Sequence, residues 1–338
     1  TDLDLFYVFN RKIKTVVVTG TNGKSTACKM LEHILRKKSL EVRLGGNIGL
    51  PVLDISLKKN PIVIIEASSF QLFYSKFVKP NYAAILNITN DHLDWHGNYK
   101  NYLESKFKIF SNQKKNDKAL LQDQSLINIF KKKKIKSKLI KIYYNLLDKK
   151  QIKNNYLKTS INLQNLSFAF QVSKIFKITK TKFYKSLLNF RGLEHRQENF
   201  LKKRNINFIN DSKATSFEAS KSALESLNNI YWILGGQPKI QEYPNFKKIK
   251  KNIRRVYLIG NHINFFKKKL TKKIIYKISK TLKNSIKDIL GDIKKDQSNE
   301  INNILFSPAS ASFDQYKNFE ERGKHFKNLS RIYAKKFL

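Results

Sequence analysis

The segment TVVVTGTNGKST, residues 15–26, constrains the fold of this chain more than any other part of its sequence. Val16–Thr19 is a short β-branched run, which predicts a buried strand of a parallel sheet. Apolar residues then recur at helical spacing from Ser25 to about Lys38, which predicts a helix. A strand that enters a helix through a glycine turn predicts an α/β fold, with the turn at the carboxyl edge of the sheet.

The turn is a shortened form of the phosphate-binding pattern G-x-x-x-x-G-K-[ST]. The full pattern fails because Val18 stands where its first glycine would be. The shorter loop keeps the chemistry, since its glycines let backbone N–H groups face phosphate oxygens where the helix dipole begins. An ordinary strand-to-helix turn with an incidental lysine is the alternative, but the flanking strand and helix favour ATP phosphates. The predicted ATP-binding residues of this loop are Gly20, Thr21, Asn22, Gly23, Lys24, Ser25 and Thr26.

Two further buried strands are predicted, and each ends in polar residues. The strand Ile62–Ile65 ends on Glu66, which either caps the next helix or holds a metal; a neighbouring phosphate loop favours Mg²⁺, because this ion prefers oxygen ligands. The strand Ala83–Ile88 ends near His92, which on its own would be an ordinary loop histidine. Asp91 and Asp94 beside it are equally plausible as solvated loop charges.

The first half also contains helical patterns and one stretch without a clear pattern. Helices are predicted around Tyr99–Phe110, over 161–176, and near Phe183–Leu188. In residues 115–160, which are rich in lysine, short strand-like pieces such as KLIKIYY occur, but the order of the elements is not predicted.

After residue 191 the alternation of strands and helices begins again. Strands are predicted in NINFIN, NIYWIL, RRVYLI and ILF, separated by helical segments, which indicates a second parallel sheet with crossover helices. Polar clusters follow three of these strands: Asp211–Thr215, Gly235 and Gly236 with Lys239, and Ser307–Ser312. We therefore predict a P-loop-type ATPase domain over 15–190 and a Rossmann-like α/β domain over 191–338.

The formal charge of the chain is +42, from 67 Lys and Arg against 25 Asp and Glu. Such a charge attracts nucleic acid or anionic lipid. The lysines, however, are scattered among Asn and Ile residues that share A/T-rich codons, so a bias in genome base composition explains them. The aromatic residues do not alternate with basic ones as in single-strand binding surfaces. We expect no specific nucleic-acid partner.

Two other features of the sequence indicate where in the cell the protein is expected. No apolar run approaches the ~20 residues of a membrane span, so no membrane insertion is expected. Cys28 is the single cysteine, which excludes an intrachain disulfide and agrees with the reducing cytoplasm. Cys28 lies in the first predicted helix and is predicted to be a core residue rather than a nucleophile. We expect a monomer that binds small molecules.

Together these motifs resemble the ATP-dependent Mur ligases. The resemblance runs over nearly the whole chain, through GTNGKST, GGNIGLP, EASSFQL, NITNDHLDWHG, GLEHR, NDSKAT, LGG and SPASASFDQYKNFEERG. The segments SSFQL, NDSKAT and SPASASFDQ resemble the glutamate-adding branch of the family. This implies an ADP-forming ligase of peptidoglycan precursor synthesis, with ATP, UDP-N-acetylmuramoyl-L-alanine and D-glutamate as substrates.

The resemblance implies roles for residues of the first half. Lys24 and Ser25 would hold ATP phosphates, with Ser25, Glu66 and His92 as Mg²⁺ ligands. Lys106 would react with carbon dioxide, and the resulting carbamate would help place a second Mg²⁺. Implied catalytic residues are Lys24, His92, Lys106 and, in the second half, Lys213.

Further implied contacts concern the substrates. The adenosine of ATP would face Asn165, Arg196 and Asp211, and Asn162 is a further candidate beside Asn165. The muramoyl-peptide side would involve Asn47 and Ser68, and Thr215 would lie beside the reacting groups. The residues that would hold D-glutamate are Lys239, Ser312, Phe313 and Phe319.

The chain departs from the family pattern in two places. Gln237 and Pro238 stand where the family usually has an acidic residue and a glycine. No counterpart of the family's uridine-binding first domain is found, and residues 1–14 resemble a remnant of the linker that follows it; we therefore expect a missing N-terminal segment. Three alternatives stay open: a folate-polyglutamylating or other Mur-type ligase, a nucleic-acid-binding P-loop ATPase, and a nucleotide-binding remnant without ligase activity.

Overall fold

A computed structural model describes residues 1–190, 192–238, 246, 249–270, 274–296 and 300–338. The chain divides into two compact units, residues 1–190 and 191–338. Each unit is built around its own sheet of six strands in the described residues. Both units therefore carry a separate core.

The first unit contains a parallel sheet with the strand order β2-β3-β1-β4-β5-β6. The strands are β1 Thr15–Thr19, β2 Val42–Gly46, β3 Ile62–Glu66, β4 Tyr82–Ile85, β5 Lys118–Leu121 and β6 Lys138–Lys141. The helices are α1 Asp2–Phe9, α2 Lys24–Arg36, α3 Ser69–Tyr74, α4 Leu93–His96, α5 Tyr99–Phe107, α6 Gln124–Lys132, α7 Ser160–Ile175 and α8 Lys180–Leu187. Short 3-10 helices cover Val52–Asp54, Lys108–Phe110, Tyr144–Leu146, Lys149–Gln151 and Asn155–Lys158.

Helices cover both faces of this sheet, because successive side chains of a strand point to opposite faces. Val16 and Val18 of β1 pack with α2, α7 and α8. Val17, between them in sequence, packs on the other face with α1, α3, α5 and α6. Burial on both faces explains why β1 is apolar without alternation.

Most elements predicted for the first half are confirmed, with shifts at their ends. The predicted strand Ala83–Ile88 is wrong at its carboxyl end, since β4 stops at Ile85. Leu86 N still donates to Thr19 O at 3.0 Å, but the backbone then leaves the sheet to contact the glycine loop after β1. The lysine-rich 115–160 stretch, left open from sequence, contains β5, α6, β6 and the last three of the 3-10 helices.

The second unit contains a sheet with the strand order β11-β10-β9-β12-β8-β7. The strands are β7 Glu198–Lys203, β8 Ile206–Asn210, β9 Ile230–Leu234, β10 Ile253–Ile259, β11 Tyr276–Lys280 and β12 Asn302–Phe306. The helices are α9 Phe217–Ser226, α10 Ile263–Lys269, α11 Leu282–Asp296 and α12 Phe319–Phe337. The predicted parallel sheet is confirmed, and the edge strand β7, which was not predicted, runs antiparallel to β8.

The centre of this sheet is also covered on both faces. Phe208, Tyr257 and Phe306 pack against α11 and α12. Trp232 and Leu305 point to the opposite face, against α9 and α10. The carboxyl ends of β8 and β12 are adjacent, so the loops that follow them meet at one edge.

No helix within the described residues is both long and apolar enough to cross a membrane. The segment 1–14, predicted as a linker remnant, begins with α1. Leu3, Phe6 and Tyr7 of this helix are buried in the core of the first unit, so the helix is an integral part of the packing there.

Candidate active site

The glycine loop between β1 and α2 has the backbone geometry of an anion cradle. Gly20 and Gly23 have φ values of 153° and 85°, and Gly23 precedes the first residue of α2. A Cβ atom on Gly23 would lie 2.4 Å from Asn165 Oδ1. Asn165, predicted from α7 as an ATP contact, is therefore packed directly against the loop. Its Nδ2 atom is buried and has no hydrogen-bond partner among the described residues.

Lys24 folds over the loop that precedes it. Its Nζ atom donates to Gly20 O and to Thr21 O, both at 2.8 Å. Ser25 and Thr26 follow in the first turn of α2 and are buried. An ammonium group and the amino end of a helix thus converge on one loop, which favours the binding of an anion.

The loop is also held from the side by the segment that follows β4. Asn87 of this segment binds the backbone of Asn22 through its side-chain amide, and Thr89 binds the hydroxyl of Thr21 through its backbone. The hydroxyl of Tyr102, on α5, lies 3.0 Å from Thr21 Oγ1. These contacts were not predicted, because asparagine and threonine in a loop carry no specific signal in the sequence.

Glu66 ends β3 beside the phosphate loop and is 2% exposed. Its backbone pairs with Val18 of β1, and its Oε1 atom accepts a hydrogen bond from Asn47 Nδ2 at 3.1 Å. Its Oε2 atom is buried without a hydrogen-bond partner among the described residues. A buried carboxylate oxygen without a donor is costly, so this atom suits a cation.

His92 lies on the loop between β4 and α4. It adopts a left-handed backbone with φ of 53°, and its ring packs against Phe70 with centroids 4.9 Å apart. Its Nε2 atom is 3.4 Å from Asp91 Oδ2. No group of three or more His, Cys, Asp or Glu side chains with metal-site geometry occurs in the part of the chain that the structure describes. Among the described residues, Glu66 and His92 therefore do not form a cluster with a third His, Cys, Asp or Glu side chain.

Lys106, on α5 of the first unit, is buried, with 1% of its surface exposed. Its Nζ atom donates to Gly20 O at 2.9 Å and lies 4.6 Å from the centroid of the Tyr102 ring. Burial lowers the pKa of Lys106 to about 6, and the positive charge of Lys24 acts in the same direction. A pKa in this range favours the uncharged amine at neutral pH.

His96 is a buried residue of this region that sequence reasoning missed. Its Nε2 atom is 3.0 Å from Ser69 Oγ, and its ring packs with Phe70 and Tyr102. Burial lowers its pKa, so the ring is neutral near pH 7. Ser68, predicted on the substrate side, caps α3 by accepting from Gln71 N at 3.2 Å.

In the second unit, Asp211 follows β8 and is buried. Its carboxylate accepts from Ser307 Oγ at 2.7 Å and from Gln197 N at 3.1 Å. Burial raises the pKa of Asp211 to about 7, although these hydrogen bonds and the charge of Arg196 oppose the shift. The loops after β8 and β12, predicted separately, are thus joined through the contact between Asp211 and Ser307.

Arg322, on α12, ties the same two loops together and was not predicted. Its guanidinium donates to Ser212 O at 2.7 Å, Ser212 Oγ at 3.1 Å, Ser310 O at 2.9 Å and Ala311 O at 3.1 Å. The residue is 1% exposed, and burial lowers its pKa to about 10. The motif ending in FEERG contained this arginine, but nothing in the sequence marked it as buried.

The remaining predicted residues of the second unit surround these loops. Lys213 Nζ lies 4.7 Å from the centroid of the Phe319 ring, and Thr215 is half-buried on the same loop. Ser312 is buried, whereas Phe313 is 71% exposed. Lys239 lies outside the described residues. Asn162 is buried on α7 of the first unit.

The fold and the loop define a P-loop-type ATPase domain followed by a Rossmann-like α/β unit. Residues 18–202 match the Mur ligase middle domain family. The chain is 35% identical to UDP-N-acetylmuramoylalanine–D-glutamate ligase of Rickettsia felis over 355 residues, which cover 98% of this chain and 78% of that protein. The protein belongs to the Mur ligase family.

Solved structures share the fold. The MurF ligase from Thermotoga maritima in complex with ADP has a TM-score of 0.70 at 16% identity, covering 99% of this chain and 84% of that one. The bifunctional folylpolyglutamate synthase/dihydrofolate synthase from Yersinia pestis, complexed with AMPPNP and a manganese ion, has a TM-score of 0.63 at 14% identity and covers 100% and 93%. The predicted α/β architecture and family are confirmed.

The buried Lys106 predicts a pH dependence of stability. Its pKa falls from 10.5 in the unfolded chain to about 6 in the folded one, so the unfolded state binds more protons between these values and stability rises with pH. The free energy of unfolding of the wild type should rise by up to about 1.4 kcal/mol per pH unit in this range, and Lys106→Met should remove this contribution. The variant should be more stable than the wild type near pH 6.5, with an advantage that shrinks towards pH 9.

Denaturant unfolding at several pH values, in CO₂-free buffer with a chelator, measures this difference. The exposed Lys100 on the same helix gives a matched control, since Lys100→Met should follow the wild-type pH profile. A Lys106→Met profile parallel to that of the wild type would show that Lys106 stays charged in the folded protein.

Proposed function

We propose that this protein is an ATP-dependent ligase that joins D-glutamate to UDP-N-acetylmuramoyl-L-alanine in the cytoplasm, with release of ADP and phosphate. The observation that carries the proposal is the 35% identity, across 98% of the chain, to a ligase named for this reaction. The glycine loop, Lys24 and the buried Glu66 supply a site of matching chemistry at the sheet edge.

The reaction proceeds in two steps. The alanyl carboxylate attacks the γ-phosphorus of ATP, which gives an acyl phosphate and ADP. The amine of D-glutamate then attacks the activated carbonyl, and phosphate leaves. Because a carboxylate acylates poorly at neutral pH, the first step makes the amide feasible. The work of the protein is mainly positioning and charge neutralisation.

The residues around the loop suit a nucleotide triphosphate and a divalent cation. Lys24 and the amino end of α2 would hold the phosphates, and Asn165, Arg196 and Asp211 would contact the adenosine part. The unpartnered Glu66 Oε2 suits a Mg²⁺ ligand, with Ser25 and His92 as further candidates. The cation, when bound, neutralises phosphate charge.

Lys106 suits carbamylation by carbon dioxide. In this reaction the neutral amine attacks the carbon of CO₂, loses a proton and becomes an anionic carbamate. The lowered pKa of about 6 leaves the amine neutral at physiological pH, as the reaction requires. The product would change a buried neutral group into an anion next to Lys24, where it would serve as an oxygen ligand for a second Mg²⁺.

The other predicted residues complete the proposal. Lys213 and Thr215 would lie beside the reacting groups, and Asn47 and Ser68 would face the muramoyl-peptide. The proposed D-glutamate contacts are Lys239, Ser312, Phe313 and Phe319.

A panel of acceptor amino acids tests the substrate assignment. Phosphate release with ATP, Mg²⁺ and UDP-N-acetylmuramoyl-L-alanine should depend on D-glutamate. It should stay at background with L-glutamate, meso-diaminopimelate or L-alanine. Preference for L-glutamate on a folate acceptor would favour a folylpolyglutamate-type ligase. ATP hydrolysis stimulated by DNA or RNA at moderate salt would favour a nucleic-acid-dependent ATPase.

Lys24→Ala tests the phosphate loop. Loss of a preorganised charge donor should lower turnover by about two to four orders of magnitude, because the ammonium would stabilise the transferring phosphoryl group. Steady-state phosphate release measures the effect. Lys29→Ala, on the exposed side of the same helix, is the control and should keep wild-type turnover. Equal rates for the Lys24 variant and the wild type would refute the assignment.

Lys106→Ala tests the carbamate. The variant should lose most activity, and bicarbonate should rescue it weakly or not at all. Short carboxylic acids such as acetate should restore part of the rate, since they supply a carboxylate in the space that the side chain vacates. Failure of every acid tested would count against the carbamate role while leaving the phosphate loop untouched.

A further inference from the structure

Asn87 makes a set of contacts with the phosphate loop that no catalytic role described above uses. The residue follows β4 by two positions and is half-buried. Its Oδ1 atom accepts from Asn22 N at 2.8 Å, and its Nδ2 atom donates to Asn22 O at 3.0 Å. One side-chain amide thus binds both polar groups of a single backbone residue in the loop.

The backbone of Asn87 adds a third contact, since its carbonyl accepts from Thr21 N at 2.9 Å. The approach is close, because a Cβ atom on Gly20 would lie 3.2 Å from Asn87 O. Nearby, Thr89 N donates to Thr21 Oγ1 at 3.0 Å. Two consecutive loop residues are therefore fastened to the segment 87–89.

These contacts restrict a loop that its composition would leave flexible. Gly20 and Gly23 flank the two fastened residues and have the widest conformational freedom of any residue type. A loop that must order itself on binding loses affinity in proportion to that ordering. Hydrogen bonds that hold Thr21 and Asn22 in place remove part of this cost before the ligand arrives.

We propose that Asn87 is a positioning residue that pre-organises the phosphate loop for nucleotide binding through its side-chain amide. The inference rests on the proposed function for the identity of the ligand, a nucleoside triphosphate. It extends that function, because it states that the segment after β4 keeps the phosphate loop ordered.

A purely structural role would give a different result, and the first unit offers a matched comparison. Asn112 also donates to two backbone carbonyls, Lys76 O at 2.7 Å and Val78 O at 3.1 Å. Within the described residues, its side-chain hydrogen bonds do not reach the phosphate loop. Asn112→Ala should therefore lower the melting temperature and leave nucleotide binding unchanged.

Calorimetric titration of the full chain with ATP and Mg²⁺ tests the inference. Asn87→Ala should bind ATP roughly tenfold more weakly than the wild type, since two hydrogen bonds of ordinary strength are lost. Its fall in melting temperature should be no larger than that of Asn112→Ala. An ATP affinity within twofold of the wild type would overturn the proposal.

Asn87→Asp provides a second variant of nearly the same shape. Its carboxylate keeps an acceptor for Asn22 N, but its other oxygen faces the carbonyl oxygen of Asn22, so that contact is lost. It also brings a negative charge close to the phosphates. We expect ATP binding at least as weak as in Asn87→Ala, and wild-type affinity would overturn the proposal even if the alanine variant does not fold.

Hydrogen exchange of the loop amides gives a readout that needs no ligand. The Asn22 amide should be protected in the wild type and in Asn112→Ala, and should exchange faster in Asn87→Ala. Equal exchange in all three proteins would overturn the inference. If the wild type does not bind ATP at all, the proposed function fails, and the exchange rates alone decide whether Asn87 orders the loop.

Discussion

The candidate site depends on the parallel pairing of β1 with β3 on one side and β4 on the other. Parallel neighbours end at the same edge of a sheet, so whatever follows each strand is brought to one place. Here these are the phosphate loop, the carboxylate of Glu66 and the segment from Asn87 to His92. A shift of register by one residue would turn Glu66 to the other face of the sheet. The apolar cores on both faces, which fix the register, therefore also fix the chemistry at the edge.

Two lysine amines meet at this edge of the sheet, and burial disfavours the charged form of Lys106. The carbonyl of Gly20 accepts from both Lys24 and Lys106, so two amines approach one oxygen. Two adjacent cations repel each other, and the buried member is the one whose charged form is disfavoured. The lowered pKa of Lys106, about 6, therefore favours its neutral amine beside the Lys24 ammonium group. The causes of this lowered pKa are local, and the net charge of +42 of the whole chain plays no specific part in it.

The strands at the centres of both sheets, and the loop after β1, could be predicted from sequence because glycine and β-branched runs signal them directly. The edge strands β2, β7 and β11 were missed, since they are partly exposed and contain charged or small residues where the central strands are apolar. Lys106 could be named only through the family resemblance, because burial, not residue type, distinguishes it from dozens of other lysines. Asn87, His96 and Arg322 were missed for the same reason: their importance lies in contacts with residues distant in the sequence.

The two buried basic side chains, Arg322 and Lys106, show how residue chemistry decides what burial does. Arg322 keeps its charge at neutral pH despite a lowered pKa of about 10, because its planar guanidinium reaches four oxygen acceptors on two loops at once. Lys106 has a single ammonium point, a close contact to Gly20 O and an aromatic ring beside it, and too few acceptors to offset desolvation. Arg322 thus holds two loops of the second unit in a fixed arrangement. Lys106 instead leaves an amine whose neutral form is favoured. Exchanging either residue for the other would therefore remove the fixed loops in one unit or the neutral amine in the other.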